Sequence, residues 1–228
     1  MKSLDESIAE IGSLIGDKSR ALMLTSLMEG KSLTAGELAL RANISPQTAS
    51  NHLNKMMKAS LVVCEVFGRH RYYKLSSSDV AAALEAIGIV TSSPKQELPH
   101  LNHLDKEICF ARTCYDHLAG ELGVRITNAL LSKKMIVEKN HQYQVTNTGE
   151  KFFGQIEIST ADLVGQRRHF AKPCLDWTER KYHLAGSLGA ALLEYFVKNR
   201  LLIRSQKKSR IVVLTSKGEL WFKDKLGF

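Results

Sequence analysis

The chain has 228 residues, about one and a half average domains, which is long enough to bury a hydrophobic core without disulfides or metals to hold it together. No apolar run approaches the roughly 20 residues of a membrane helix, and the beginning, MKSLDESIAE, lacks the apolar segment of a signal peptide, so no membrane partner is expected. Four cysteines in a chain of this size are not a disulfide framework, which predicts a reducing, cytoplasmic location.

The net charge of +9 favours an anionic partner, with nucleic acid first. The charge is unevenly distributed: residues 1–90 hold 10 basic and 9 acidic residues, and the remainder holds 22 and 14. The excess therefore lies in the C-terminal part, whereas the motifs below point to the N-terminal part. Because net charge governs association rather than the position of a site, the motifs decide where specific contacts are predicted.

The first predicted elements are three helices, of which the third is short. The second of them covers residues 19–28 and ends before Gly30. Thr34 and Glu37 have the spacing of a capping box that opens the third helix, which ends near Asn43. The first helix is predicted from four apolar residues at helical spacing: Ile8, Ile11, Leu14 and Ile15.

A fourth helix begins with Ser45 as N-cap and Pro46 in the first turn, and it reaches about Ser60. Residues 61–66 and 71–75 are predicted strands joined by a turn at 67–70. Ser78 and Asp79 are predicted to cap a further helix, with an apolar stripe of Val80, Ala83, Leu84 and Ile87. This order is that of a winged helix-turn-helix domain. The segment 91–99, TSSPKQELP, is the predicted linker.

An internal repeat occupies the remaining residues. The sequence HLAGELG at 117–123 matches HLAGSLG at 183–189, and VTNTGE at 145–150 matches LTSKGE at 214–219. Each copy is predicted to contain a long helix, a short hairpin and a closing helix that is capped by the Thr before it. The predicted fold is mainly α with small β-hairpin wings (α+β): a winged helix-turn-helix in residues 1–92, and a duplicated regulatory domain in 100–228 with units at about 104–156 and 170–228.

The helix from Pro46 has the pattern of a DNA-recognition helix. Ala49, Leu53 and Met56 form its apolar stripe, which leaves short polar side chains to face outward. Gln and Asn suit adenine, and Ser or Thr can contact bases or phosphates. His52 either bonds a phosphate or packs against the preceding helix. Arg69 and Arg71 lie in the wing, where they can contact phosphates or a narrow minor groove. The predicted DNA-binding residues are Ser45, Gln47, Thr48, Ser50, Asn51, His52, Asn54, Lys55, Arg69 and Arg71.

Three motifs in this region resemble those of the ArsR family of metal- and stress-responsive repressors. Asp17-Lys18-Ser19-Arg20 resembles the start of that family's second helix, and Ser50-Asn51-His52-Leu53 resembles its S-x-H-L recognition helix. Gly68-Arg69 with Tyr72-Tyr73-x-Leu75 resembles its wing. The segments 111–120, ARTCYDHLAG, and 174–186, beginning CLDWTER, resemble a subgroup with a longer C-terminal extension.

The resemblance implies a winged helix-turn-helix repressor that binds double-stranded DNA as a homodimer and responds to an effector. The family's thiolate pair would lie on the helix before the recognition helix, but residues 37–41 contain no Cys. Its other familiar metal site needs His on the last helix of the domain, and residues 79–89 contain none. These two metal sites are therefore absent, and neither a metal site nor a cofactor is predicted.

The predicted effector site lies instead in the C-terminal region, and its ligand is left unidentified. Three interpretations of its thiols and histidines stay open: buried structural side chains, a small-molecule pocket, or metal and thiol chemistry. If residues 114–117 are helical, Cys114 and His117 share a face, with Cys109 turned aside. The candidate effector residues are Cys114, His117, Cys174, Trp177, Arg180 and His183.

The predicted function is sequence-specific, DNA-binding transcriptional regulation, as a dimeric repressor. Two alternatives are a winged-helix module that binds protein only, and an enzyme with an appended winged helix. No Gly-rich phosphate loop, nucleophile elbow or H-E-x-x-H motif occurs in the sequence, so no enzyme is predicted. The polar recognition helix and the arginines of the wing argue against a module that binds protein only.

Overall fold

The computed structural model describes residues 3–67, 70–91, 106–166, 168–205 and 210–228. The chain divides into two compact units, Met1–Leu84 and Glu85–Phe228. Of the sequence predictions, the wing residues Gly68 and Arg69 and the linker from residue 92 onward lie outside the described residues. None of the described helices is both long and apolar enough to cross a membrane.

The first unit has the element order predicted for a winged helix-turn-helix. Its elements, of which the last continues into the second unit, are α1 (Leu4–Ile15), α2 (Lys18–Leu27), β1 (Leu33–Thr34), α3 (Ala35–Ala42), α4 (Pro46–Lys58), β2 (Val62–Phe67), β3 (His70–Leu75) and α5 (Ser78–Thr91).

Local side-chain chemistry sets the helix ends of this unit. The capping box at the start of α3 is present, since Thr34 accepts from the Glu37 amide while the Glu37 carboxylate accepts from the Thr34 amide. Asn43 ends α3 with a left-handed φ of 52°. The prediction that Ser78 and Asp79 cap α5 is wrong, because α5 already begins at Ser78 and it is the Ser77 hydroxyl that accepts from the amides of residues 79 and 80.

A three-stranded antiparallel sheet, in the order β1-β3-β2, forms the wing. β1 was not predicted, because two residues are too short to show a strand pattern; the pairing of Leu33 with Tyr73 places it in the sheet. β2 and β3 pair from Val62 opposite Leu75 to Phe67 opposite His70. The sheet and α2–α4 enclose a core that includes Met23, Leu24, Leu27, Leu38, Leu53, Met56 and Leu75.

In the second unit, two segments have the same element order: hairpin, long helix, hairpin, closing helix. After α6 (Lys106–Phe110), the first segment contains β4 (Arg112–Cys114), β5 (His117–Ala119), α7 (Glu121–Ser132), β6 (Ile136–Lys139), β7 (Gln142–Val145) and α8 (Asn147–Gln155). After α9 (Thr160–Val164), the second contains β8 (Lys172–Leu175), β9 (Tyr182–Ala185), α10 (Gly186–Lys198), β10 (Leu202–Arg204), β11 (Val212–Leu214) and α11 (Ser216–Lys225).

The threonine before each closing helix is its N-cap, as predicted. Thr146 accepts from the Gly149 amide at the start of α8, and Thr215 accepts from the Gly218 amide at the start of α11. These glycines lie close to backbone: a Cβ on Gly149 would be 2.0 Å from the Met135 carbonyl oxygen. The recurring Thr-x-x-Gly therefore supplies both the cap and the space for the hairpin beneath it.

The two HLAG motifs begin as strands rather than helices. His117–Ala119 is β5, and the helix starts only after Gly120, whose φ is +83°. Gly186 has a φ of +86° at the corresponding point of the second motif. A helical conformation for residues 114–117 is therefore wrong, because the polar pair at 115–116 forms the loop of a hairpin instead.

One hydrophobic core holds the second unit together. Helices α7 and α10 each contribute more buried residues to it than any other element, and the rings of Phe196, Trp221 and Phe222 pack edge to face against one another. The buried residues include Leu118, Leu122, Ile126, Leu130, Phe153, Leu184, Leu188, Leu192, Phe196, Leu202 and Phe222. The hairpins β4–β5 and β8–β9 contribute to this core with one strand residue each, Leu118 and Leu184, and this anchors both hairpins.

Candidate nucleic-acid interface and buried effector site

Helix α4 presents a polar face to solvent. The side chains of its apolar stripe, Ala49, Leu53 and Met56, have no exposed surface. The exposed residues of this face are polar or basic: Gln47, Thr48, Asn51, Asn54 and Lys55. The helix contains no acidic residue, and its two lysines lie in its C-terminal half. The result is a helix with amide, hydroxyl and ammonium groups on its open side.

Two of the predicted DNA-binding hydroxyls also serve the helix itself. Ser45 is the N-cap and accepts from the Thr48 amide, while its hydroxyl lies 2.8 Å from that of Thr48. Ser50 is half-buried and donates to the Pro46 carbonyl at 2.9 Å. These contacts stabilise the first turn of α4.

His52 packs against the preceding helices. Its Nδ1 lies 3.2 Å from Arg20 Nη1, and its Nε2 lies 4.0 Å from Asp17 Oδ1. Arg20 also donates to the carbonyls of Leu14 and Ser13 at the end of α1. Of the two alternatives for His52, the structure contains a packing contact, and its partner is α2, two helices before α4. The imidazole thereby fixes α4 against α2.

The wing extends from the sheet beside α4. Arg71 is exposed on β3, while Arg69 lies outside the described residues. On the neighbouring strand, Val66 and Phe67 are exposed by 68% and 81%. The described strand residues next to the turn thus combine a guanidinium with apolar side chains on the open surface of the hairpin.

The second unit buries a cluster of two cysteines and two histidines. Cys114 and His117 are cross-strand partners in the hairpin β4–β5, and Cys174 and His183 are cross-strand partners in β8–β9. One ligand-type atom from each of the four lies within 4.8 Å of the others. Four of the six predicted effector residues therefore meet at one point, with relative exposures between 0% and 7%.

The two imidazoles face each other through Nε2, at 3.1 Å. Each Nδ1 faces a carboxylate instead: His117 Nδ1 lies 3.4 Å from Asp116 Oδ1, and His183 Nδ1 lies 3.2 Å from Asp176 Oδ2. Arg168 donates to the other oxygen of Asp116. Each Nδ1 thus lies beside a carboxylate that is itself held in place.

Asp176 and Arg112 form a buried polar network behind the cluster. Asp176 Oδ1 accepts from Arg112 Nη2 at 3.0 Å and Oδ2 accepts from the Gly120 amide at 2.7 Å. Arg112 lies 3.4 Å from Glu85, which also accepts from Arg210. These acidic and basic groups are almost entirely inaccessible to water, so each charge depends on its partner.

The electrostatics of the cluster follow from burial and these contacts. A hydrogen bond with Cys174 and desolvation together raise the pKa of the Cys114 thiol to about 12. Burial disfavours the charged form of His183, but the nearby Asp176 carboxylate outweighs it and raises the pKa of His183 to about 9. The same histidine, together with Arg112, outweighs desolvation and holds the pKa of Asp176 far below its usual range.

The other two predicted effector residues lie in the loop between β8 and β9. Trp177 is half-buried, and its ring lies 4.9 Å from the Arg112 guanidinium carbon. Arg180 is exposed with a φ of +54°, so a helical turn that aligns it with Trp177 is not formed. Trp177 therefore covers the buried arginine rather than lining the Cys–His cluster.

Sequence reasoning missed the charged residues that support the cluster. Arg112, Asp116 and Arg168 were not singled out, and Glu85 lies far away in the sequence. Arg112 and Asp116 do belong to the ARTCYDHLAG segment, so the motif carried the signal. Their partners could not be found because each contact joins residues more than 25 positions apart.

The chain has the features of a winged helix-turn-helix DNA-binding protein: the helix pair α3–α4, the three-stranded wing and the polar face of α4. Comparison with known protein families agrees, since residues 15–65 match the family described as Helix-turn-helix domain. The uncharacterized HTH-type transcriptional regulator YdfF of Bacillus subtilis (strain 168) is 41% identical over 98% of both chains. A second regulator from the same organism, YceK, is 35% identical over 33% of this chain and 77% of its own.

The chain therefore belongs to the family of HTH-type transcriptional regulators that includes YdfF, and the predicted class of DNA-binding regulator is confirmed. Among solved structures, the chain is similar to the homodimeric winged helix-turn-helix domain of Mb0332 from Mycobacterium bovis, a possible ArsR-family regulator. That similarity has 23% identity and a TM-score of 0.37, over 44% of this chain and 86% of that one.

Proposed function

We propose that this regulator is a dimeric repressor of the ArsR type, which reads its operator in the cytoplasm with α4 and responds to an effector bound in the second unit. The observation that carries the proposal is the open face of α4. Its exposed Gln47, Thr48, Asn51 and Asn54 are short donors and acceptors, and no acidic residue on the helix opposes the phosphates. A helix of this kind can lie deep in the major groove with its N-terminal end toward the bases.

The surface of α1 supports assembly as a homodimer. Although α1 contains apolar residues at helical spacing, none of its residues is buried. Leu4 and Ile8 remain exposed by 75% and 62%. A second copy that covers this face would remove apolar surface from water, and a symmetric pair of recognition helices would reach two half-sites. Light scattering at micromolar concentration is expected to give the dimer mass, and a monomer would contradict the proposal.

The buried cluster of the second unit supports an effector site there. Four side chains that carry thiol or imidazole chemistry converge, and the polar network behind them reaches Glu85 on α5. An effector regulates DNA binding only if it binds one conformation of the protein more tightly than another. A ligand in this buried site would act on charged groups that depend on one another, which is the kind of coupling that such regulation needs.

The test is DNA binding by a Gln47→Ala and Asn51→Ala double variant, measured by fluorescence anisotropy on DNA from upstream of the chain's own gene. Each lost base contact costs on the order of 1–3 kcal/mol, so a loss of affinity of roughly 30-fold or more is expected. The control carries Gln144→Ala and Asn147→Ala, the same residue types on the exposed surface of the second unit. Wild-type affinity and sequence preference in the first variant would contradict the assignment of α4.

A further inference from the structure

The two hairpins β4–β5 and β8–β9 each present one cysteine and one histidine on the same face. Cys114 lies opposite His117, and Cys174 lies opposite His183, in the antiparallel register. Side chains of directly opposed residues point to the same side of a hairpin with their Cβ atoms about 5 Å apart. The loops differ, since two residues separate the first pair and eight separate the second. The register, rather than the spacing, is what the two hairpins share.

The faces of the two hairpins meet around one point. The four donor atoms lie within 4.8 Å of one another, and the two Nε2 atoms are 3.1 Å apart. Tetrahedral zinc has Zn–N near 2.0–2.1 Å and Zn–S near 2.3 Å, which places two nitrogens about 3.4 Å and two sulfurs about 3.8 Å apart. The two nitrogens therefore lie close to the separation of a tetrahedral pair, and the four donors surround one point at which a small shift would bring them to one ion.

The carboxylates decide which nitrogen of each histidine faces the centre. Asp116 and Asp176 lie 3.4 Å and 3.2 Å from the Nδ1 atoms, so a metal-bound imidazole would keep its ring proton on Nδ1, beside a carboxylate. The two Nε2 atoms face each other at 3.1 Å. A cation between them would be bound by the lone pairs of both. The carboxylate–histidine arrangement is also the one that orients histidine ligands in metal sites.

Burial and charge specify the kind of cation. The four side chains are 0–7% exposed, so the donor set is closed and leaves no side for a substrate. Two thiolates and two imidazoles select a zinc-type ion over Mg²⁺ or Ca²⁺, which prefer oxygen donors. Two thiolates neutralise a divalent ion, while Asp116 is balanced by Arg168 and Asp176 by Arg112.

Two glycines lie beside the histidines. A Cβ on Gly123 of α7 would lie 3.6 Å from the Cβ of His183, and a Cβ on Gly189 of α10 would lie 3.2 Å from the Cβ of His117. Each histidine thus packs over the helix that follows the other hairpin. This reciprocal packing ties the two hairpins to each other at the cluster.

We propose that Cys114, His117, Cys174 and His183 bind one transition-metal ion of the zinc class in a closed tetrahedral site. The metal ion stabilises the contact between the two hairpins. Through His183, Asp176, Arg112 and Glu85, its occupancy is coupled to α5 by contacts of 3.0–3.4 Å. The role of this metal ion as the effector of DNA binding rests on the proposed function, whereas metal binding at the cluster does not.

The experiment uses Co²⁺ as the probe on the full chain, stripped of metal with a chelator under reducing conditions. One equivalent is expected to give tetrahedral d–d bands and a thiolate-to-cobalt charge-transfer band, and Zn²⁺ is expected to displace it. Cys174→Ser is expected to lose the charge-transfer intensity. Cys109→Ser is the matched control, because Cys109 lies in the same unit but outside the cluster, and it is expected to bind as the wild type does.

A second variant keeps the test independent of folding losses. His183→Cys retains four donors and adds a thiolate, so its charge-transfer band is expected to grow by about half. Absence of stoichiometric Co²⁺ binding by the folded wild type would overturn the proposal. Equal effects of Cys174→Ser and Cys109→Ser, or a Cys114–Cys174 disulfide in the protein as isolated, would also overturn it.

DNA binding is measured on the same metal-free and Zn²⁺-loaded samples. If the chain binds DNA specifically but not Co²⁺, the metal site is wrong and the regulator stands. If it binds Co²⁺ at the cluster but not DNA, the metal site stands and the proposed function fails. If both bind and Zn²⁺ changes the DNA affinity several-fold, the metal ion is the effector; if the affinity is unchanged, the metal site stands and the effector role is overturned.

Discussion

Replacing Arg112 with methionine tests whether the buried ionic network stabilises the second unit. Arg112 is entirely buried, and so are its partners Glu85 and Asp176. Methionine fills similar volume but leaves both carboxylates without this cation. Breaking a buried pair by removing one partner costs about 3–5 kcal/mol, a large fraction of the stability of a typical domain. We therefore expect Arg112→Met to lower the free energy of unfolding by about that amount.

The assay is urea unfolding followed by tryptophan fluorescence. Both tryptophans, Trp177 and Trp221, lie in the second unit, so the emission reports that unit alone. Arg125→Met is the control, because Arg125 forms a half-exposed pair with Glu121 at 3.6 Å and lies over the Phe228 ring. Its loss is expected to cost only about 1 kcal/mol.

A second variant identifies the cause of the loss. If the cost arises from uncompensated buried charge, adding Glu85→Gln to Arg112→Met is expected to restore part of the stability. Equal destabilisation by Arg112→Met and Arg125→Met would refute the reasoning, since burial would then make no difference. No recovery in the double variant would show that lost packing, rather than charge, dominates.

Three further outcomes are expected. Gly149→Ala places a Cβ 2.0 Å from the Met135 carbonyl oxygen and is expected to lower the free energy of unfolding by about 2 kcal/mol or more. Gly154→Ala, in the same helix, meets nothing within 4 Å and is expected to raise it by up to about 1 kcal/mol. Thermal melting distinguishes the two variants, and similar shifts in melting temperature would contradict this prediction. Arg71→Ala is expected to weaken binding to all DNA sequences and to reduce the salt slope by about 1, and an unchanged slope would place the wing away from DNA. Burial raises the pKa of Tyr143 from 10.0 to about 12, so the stability that its protonated form contributes is fully present below pH 10 and is lost as the pH rises through 12. Tyr143→Phe is therefore expected to lose less stability than the wild type between about pH 9 and about pH 11, measured by urea unfolding. An identical pH dependence in the two proteins would refute this prediction.

Much of the first unit could be predicted because its signals are local. The capping box of Thr34 and Glu37, the Ser45–Pro46 helix start and the apolar stripe of α4 each depend on residues within a few positions of one another. The same is true of the threonine caps of α8 and α11 in the second unit. Such signals predict elements and their exposed faces, and they indicated the DNA-reading helix before any contact was known.

The buried site depended on tertiary structure. The sequence indicated cysteine and histidine as candidates, but a helical interpretation of residues 114–117 was wrong, because a two-residue hairpin loop and one helical turn place the same residues side by side. Only the pairing register shows that Cys114 opposes His117 just as Cys174 opposes His183, despite loops of different length. Likewise, Arg112 is a charged residue that local pattern assigns to the surface, and it is buried because Glu85 and Asp176 approach from distant parts of the chain. Local sequence thus determined which side chains could do the chemistry, and the packing of the two hairpins decided which of them meet, because an interaction between distant residues depends on how the elements pack and not on their spacing.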